Sequence, residues 1–195
     1  FFKCLLFYAA GAVYQATHTV DMEKLGGLAR LMPWTALAFV GGGVAISALP
    51  PLNGFVSEFV IYSGLFSAQP MAAGAKVALA VAAAVLAFVG AVSALSITRA
   101  FGVVFLGSRR DADVPRPPEV GRWMLWPMGL HGLGVVLLGV APVLGLRLVE
   151  GAVGLGLAAV PGKPIDVLQP MAGMLTRIGL ISAGLAAAIA GVLWL

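Results

Sequence analysis

Hydrophobic residues along this chain form long runs that are separated by short polar connections. The runs predict four to five membrane segments, at 1–17, 34–66, 72–106, 123–148 and 174–195. A helix needs about 20 apolar residues to cross a hydrocarbon core that is about 30 Å thick. The pattern therefore predicts an all-α, polytopic transmembrane helical bundle, with residues 1–195 forming a single transmembrane domain.

The second run contains an interruption, in the motif Ala48-Leu-Pro-Pro-Leu-Asn-Gly-Phe-Val-Ser-Glu58. Pro50 and Pro51 have no backbone N–H and cannot continue a helix, and Gly54 permits the backbone conformations of a sharp turn. Two half-helices broken at 50–54 together have the length of one span. Irregular backbone at membrane depth is tolerated only where protein or a water-filled cavity satisfies its polar groups.

Glu58 follows this break and is the carboxylate that lies within a predicted span, whereas the other seven of the eight acidic residues fall in loops or at span ends. Placing a carboxylate in hydrocarbon costs about 2.5–3.5 kcal/mol on insertion scales. A broken helix beside a charge is typical of ion sites in transporters. We expect Asn53, Ser57 and the freed carbonyl groups near Pro50 to line a wet cavity. The structural alternative is that Glu58 only satisfies the broken backbone.

Three further ionisable residues within the predicted spans are candidates for a relay. Lys3 lies roughly 20 Å from the His18 end of the first run, and His131 lies near the middle of the fourth. Arg99 lies toward the far end of the third run. Each has a structural alternative to a relay role: Lys3 and Arg99 could extend to an interface, and His131 could be a hydrogen-bonded core residue.

Composition excludes several classes of protein. Hydrophobic residues make up 61% of the chain and charged residues 10%, so this is not an ordinary soluble domain. Its net charge of +4 comes from scattered basic residues, which does not support nucleic-acid binding. The single cysteine, Cys4, cannot form an intrachain disulfide or a multi-cysteine cluster, and we expect no cofactor in this chain. We expect a fragment, or half of a split subunit, since both ends fall inside apolar runs.

Alternation of the spans places loops 18–33 and 107–122 on one side of the membrane. Six basic residues lie in these loops, against four on the other side. The six are Lys24, Arg30, Arg109, Arg110, Arg116 and Arg122. Since cytoplasmic loops carry an excess of Lys and Arg, this side is predicted to be cytoplasmic.

Two segments, 25–39 and 45–58, resemble the antiporter-like subunits of respiratory complex I and its relatives. The form Pro-Pro-Leu-Asn-Gly-Phe-Val-Ser-Glu is most similar to the large membrane subunit of group 4 membrane-bound hydrogenases and formate hydrogenlyases. Phe1-Phe-Lys-Cys-Leu-Leu-Phe7 is similar to the family motif His-Ala-x-Phe-Lys-x-Leu-Leu-Phe. The resemblance implies that the chain is the second inverted repeat of such a subunit, with Lys3 in its central chain of protonatable groups.

The resemblance also implies a function. Protons would move through Lys3, Glu58 and water at the broken helix, driven by a redox reaction in partner subunits. The expected partners are other membrane subunits, the lipid bilayer and a peripheral redox arm of iron–sulfur and nickel–iron subunits, in the inner membrane of a bacterium or archaeon. Two alternatives stay open: a subunit of a multi-subunit cation/proton antiporter, and a structural scaffold without transport. Whether the chain counts as part of an enzyme depends on those partners.

Overall fold

The computed structural model describes residues 1–67, 72–111, 118–158 and 168–194. In these ranges the chain forms seven α-helices, one 3₁₀ turn and no strand. The helices are α1 (Phe2–Thr17), α2 (Pro33–Ile46), α3 (Asn53–Ser67), α4 (Ala73–Val104), α5 (Arg122–Val140), α6 (Pro142–Ala158) and α7 (Leu168–Trp194), and the 3₁₀ turn is Leu28–Arg30. The predicted all-α fold is confirmed.

Helices α4 and α5 are each long and apolar enough to cross a membrane. Helix α4 has 32 residues and a mean hydropathy of 2.5, and it matches the predicted run 72–106 closely. At about 1.5 Å per residue its length approaches 50 Å, which exceeds the hydrocarbon thickness. It therefore tilts in the bilayer or extends beyond it.

The predicted break in the second run is confirmed. Helix α2 ends at Ile46 and α3 begins at Asn53, with 47–52 between them. The break lies about three residues earlier than predicted, because Asn53 and Gly54 already belong to the first turn of α3. The two prolines explain why neither half-helix extends through the gap.

The fourth run differs from its prediction. A single span over 123–148 was expected, but α5 ends at Val140 and α6 begins at Pro142. Helix α5 accommodates Pro127 in its interior, so a proline alone does not end it. It ends because Ala141, the residue before Pro142, has φ −124° and ψ 64°, outside the helical region that a following proline disfavours. The predicted connection 150–170 is helical up to Ala158, and α7 begins at Leu168 rather than near 174. The rest of that connection lies outside the described residues.

Glycines bring α2 close to its neighbours, as its Gly41-Gly-Gly43 run predicted. A Cβ at Gly42 would lie 2.8 Å from Leu6 Cγ of α1, and a Cβ at Gly43 would overlap the Ile97 side chain of α4. Nothing lies within 4 Å of a Cβ at Gly41. Two of the three glycines therefore hold α2 against α1 and α4.

The two polar loops lie on the same side of the bundle. The Gly27 N–H donates to the Leu106 carbonyl and the Ala29 N–H to the Phe105 carbonyl, both at 2.9 Å. Arg110 Nη1 donates to the Leu25 carbonyl at 3.1 Å. These hydrogen bonds join 18–33 to 107–122, as the alternation of spans predicted. That this side is cytoplasmic stays a prediction.

Candidate ion-translocation site

The break between α2 and α3 is packed against neighbouring helices by close backbone contacts. A Cβ at Gly54 would overlap the carbonyl oxygen of Ala45, and a Cβ at Gly139 of α5 would overlap that of Pro51. Within the break, the Leu49 N–H donates to the Val44 carbonyl at 3.2 Å. The irregular segment is therefore held between α2, α3 and α5 by contacts that only glycine permits.

Glu58 lies one turn into α3 and faces α4. Its two carboxylate oxygens lie 3.7 and 3.8 Å from the position of a Cβ at Gly90. The side chain is partly buried, and among the described residues its carboxylate has no hydrogen bond or ion pair. The carboxylate thus lies against a helix surface that offers it no side-chain donor at Gly90.

The two polar residues predicted beside Glu58 differ in their hydrogen bonding. Ser57 Oγ donates to the Gly54 carbonyl at 2.8 Å, so its hydroxyl proton is used within α3. Asn53 Oδ1 is buried and accepts no hydrogen bond from the described residues. A buried acceptor without a donor costs about 1–3 kcal/mol. Asn53, in the first turn of α3, therefore has an acceptor to spare directly after the break.

A cavity of about 150 Å³ lies beside the break, between α2 and α4. Ser47 and Leu49 line it from the break, and Thr98 and Phe101 line it from α4. Ser47 and Thr98 are the two lining residues with polar side chains, and the rest of the lining is apolar. Asn53 and Ser57, which were expected to line a wet cavity, do not line this one.

Lys3 is exposed on α1 and makes no ion pair with the described residues. Neighbouring positions of α1 pack against α2 and α5, while Glu58 faces α4. The structure therefore does not bring Lys3 and Glu58 into contact. Their connection in one relay stays a prediction.

His131 lies on α5 against α1. Its Nδ1 is 2.8 Å from the Pro127 carbonyl oxygen, which can only accept, so Nδ1 is the donor in this hydrogen bond. The ring packs edge-on against Tyr8 at 5.2 Å between centroids. Arg99 is exposed on α4 and has no partner among the described residues. A relay role for either residue is still a prediction.

Sequence reasoning missed Glu119. Its Oε2 accepts from the Trp34 N–H at 2.8 Å and from the Thr35 N–H at 3.4 Å. Its Oε1 accepts from Thr35 Oγ1 at 2.7 Å. The carboxylate thus caps the N-terminus of α2 from 85 residues away. One signal was available: α2 begins with Pro33 after Met32, which cannot cap a helix with its side chain.

The transmembrane family described as NADH:quinone oxidoreductase/Mrp antiporter matches residues 1–98. Hydrogenase-4 component B of Escherichia coli K12 is 41% identical over 138 residues, which cover 70% of this chain and 20% of that protein. Formate hydrogenlyase subunit 3 of the same organism is 38% identical over 145 residues, covering 74% of this chain and 23% of the relative.

A third relative is NAD(P)H-quinone oxidoreductase chain 4 of Synechococcus sp. JA-3-3Ab, which is 34% identical over 140 residues. That match covers 67% of this chain and 26% of the relative. The chain spans between a fifth and about a quarter of the length of these curated relatives. The family model covers half of the chain, and the resemblance inferred from its motifs is confirmed. This chain therefore belongs to the NADH:quinone oxidoreductase/Mrp antiporter transmembrane family.

Proposed function

We propose that this chain is part of the proton-translocating membrane subunit of a redox-driven complex. The observation that carries the proposal is the position of Glu58: it follows a broken membrane helix, lies against Gly90 of α4, and has no hydrogen bond or ion pair among the described residues. Ionisable residues inside membrane segments usually mark ion pathways. Family membership and the hydrogenase-related names of the relatives support this assignment.

In this mechanism Glu58 takes up a proton on one side of the break and releases it on the other. Asn53 Oδ1 accepts a hydrogen bond from the incoming donor, and water in the cavity lined by Ser47 and Thr98 carries the proton onward. Lys3 is the second protonatable group of the relay. His131 and Arg99 are candidates for further steps.

The driving reaction takes place in partner subunits. We propose a multi-pass subunit of a bacterial or archaeal inner membrane, with loops 18–33 and 107–122 on the cytoplasmic side. Its partners are other membrane subunits and a peripheral arm whose iron–sulfur and nickel–iron subunits hold the redox centres. This chain itself holds no cofactor in the proposal.

The test is Glu58→Gln in the assembled complex, measured as dye-quench pumping and redox turnover in inverted membrane vesicles. Glutamine keeps the size of the side chain but cannot titrate. We expect normal assembly and at least a tenfold loss of pumping, about 1.4 kcal/mol or more of added barrier. Glu58→Asp should retain part of the pumping because the carboxylate survives. Wild-type pumping in Glu58→Gln would contradict the proposal and would favour a structural scaffold without transport.

A second function, cation/proton antiport, is supported by the family description itself, which includes the Mrp antiporters. Proton pumping that is unchanged in sodium-free buffer supports the redox-driven proton pump. Proton movement that is driven by a sodium gradient without redox substrate supports the antiporter.

A further inference from the structure

A basic cavity of about 320 Å³ lies where the two polar loops meet. Lys24, Arg30 and Arg109 line it, together with three leucines: Leu25, Leu28 and Leu31. This volume falls within the range of small-molecule sites, about 300–1,000 Å³. The cavity is separate from the break and plays no part in the proposed proton path.

The floor of this cavity is backbone from both loops. Gly27 and Gly107 have φ angles of +70° and +80°, which side-chain-bearing residues rarely adopt. A Cβ at Gly27 would lie 2.9 Å from the Gly107 carbonyl oxygen, and a Cβ at Gly26 would overlap that of Ser108. The hydrogen bond from Gly27 to Leu106 fixes the same contact. The cavity is therefore part of the folded structure rather than a gap between loose loops.

Charge in the cavity is of one sign. The side chains of Lys24 and Arg30 are exposed and make no hydrogen bond or ion pair with the described residues. Arg109 Nε donates to the Asp111 carbonyl at 2.8 Å, which orients its guanidinium group. No carboxylate is among the residues that line the cavity. The nearby Asp21 carboxylate accepts from the Glu23 N–H within its own turn.

The position of the cavity along the chain suggests its ligand. Its residues directly precede α2, which begins at Pro33, and directly follow α4, which ends at Val104. In a transmembrane family these helix ends lie at the level of the lipid headgroups. We propose that this cavity binds the phosphate headgroup of an anionic phospholipid, with the leucines against its glycerol and upper acyl chains. Basic pockets between membrane helices commonly bind such headgroups.

The test uses the complete complex in nanodiscs of phosphatidylglycerol or of phosphatidylcholine. Wild-type complex should unfold at a higher temperature in phosphatidylglycerol and should retain a phosphatidylglycerol molecule in native mass spectrometry. Lys24→Gln with Arg30→Gln should lose both effects. At about 1 kcal/mol for each basic residue near the surface, the double variant should bind the lipid roughly 30-fold more weakly. Lys24→Arg should keep the binding because the charge is retained.

The matched control is Lys76→Gln with Arg147→Gln, which also removes one lysine and one arginine but from exposed positions outside the cavity. It should retain the lipid. Equal lipid retention in the cavity variant and in wild type would overturn the proposal. A second outcome would also overturn it. If inorganic phosphate, added to the complex in phosphatidylcholine, stabilised it as much as phosphatidylglycerol does, the ligand would be a free anion. Loss of a partner subunit from the cavity variant, with lipid retained, would indicate a protein contact and overturn it as well.

Discussion

Two carboxylates, one at the start of the broken span and one just after its break, have contrasting surroundings. Glu119 caps the first turn of α2, and both of its oxygens accept hydrogen bonds, the shortest at 2.7 Å. Glu58, beyond the break, lies against Gly90 and has no hydrogen bond among the described residues. A carboxylate whose two oxygens both accept hydrogen bonds stabilises structure, because removing it leaves the donors without an acceptor. A carboxylate without such bonds can be replaced at little structural cost.

The contrast predicts separate effects for the two regions. Changes around Glu119 should lower assembly and leave the number of protons pumped per turnover unchanged. Changes around Glu58 should lower that number and leave assembly intact. Gly54 lies between the regions, since it packs α3 against α2, and a change there should disturb both.

Gly54→Ala should have the largest effect. The added Cβ would overlap the Ala45 carbonyl oxygen, and backbone on both sides of the contact leaves little room for adjustment. We expect a loss of about 3 kcal/mol in the free energy of unfolding and little assembled complex in membranes. Gly64→Ala, in the same helix with nothing within 4 Å of its Cβ, is the control and should assemble normally. Normal assembly of Gly54→Ala would refute the close backbone contact.

Glu119→Ala should destabilise the complex by about 2 kcal/mol, because it removes the cap of α2 and leaves the Trp34 and Thr35 N–H groups without their acceptor. Thermal unfolding of the purified complex measures this loss. Complex that does assemble should pump a normal number of protons per turnover. Glu23→Ala, an exposed carboxylate in the neighbouring loop, serves as the control. A pumping defect as severe as that of Glu58→Gln would remove the distinction between the two carboxylates.

Gly90→Leu should lower pumping several-fold while the complex still assembles. A Cβ at Gly90 makes only ordinary contact with the Glu58 oxygens, so Gly90→Ala should be tolerated, whereas leucine would push the carboxylate from its position. Displacing the side chain from its rotamer costs about 1 kcal/mol. Gly102→Leu, on the same helix with open space beside it, is the control. Equal pumping in both leucine variants would show that the Gly90 contact has no role.

Thr35→Val should have the smallest effect. It removes the hydrogen bond from Thr35 Oγ1 to Glu119 and leaves the two backbone N–H donors in place. We expect a loss of about 1 kcal/mol in the free energy of unfolding and unchanged pumping. Thr176→Val is the control, since the exposed Thr176 hydroxyl bonds only within its own helix. If Thr35→Val were as destabilising as Glu119→Ala, the backbone N–H groups would contribute little to the cap.

Local chemistry allowed much of this fold to be read from the sequence. The two prolines predicted the break, since a missing N–H acts wherever the residue lies. Hydropathy predicted α4 almost to the residue and placed Glu58 inside a span. Pro142 also indicated the end of α5, but the apolar run from 123 to 148 was interpreted as one continuous span. The family motifs, finally, indicated the family that the comparison confirmed.

Only the tertiary structure decided which groups meet. Glu119 reaches α2 across 85 residues, and Gly90 lies beside Glu58 because α4 packs on α3. Of three consecutive glycines, Gly42 faces α1, Gly43 faces α4 and Gly41 faces open space. Each residue of a helix turns by about 100°, so the neighbours of each glycine depend on how the helices are arranged around α2. Proline and hydropathy act through covalent structure and solvent, whereas these contacts arise only when distant segments pack together.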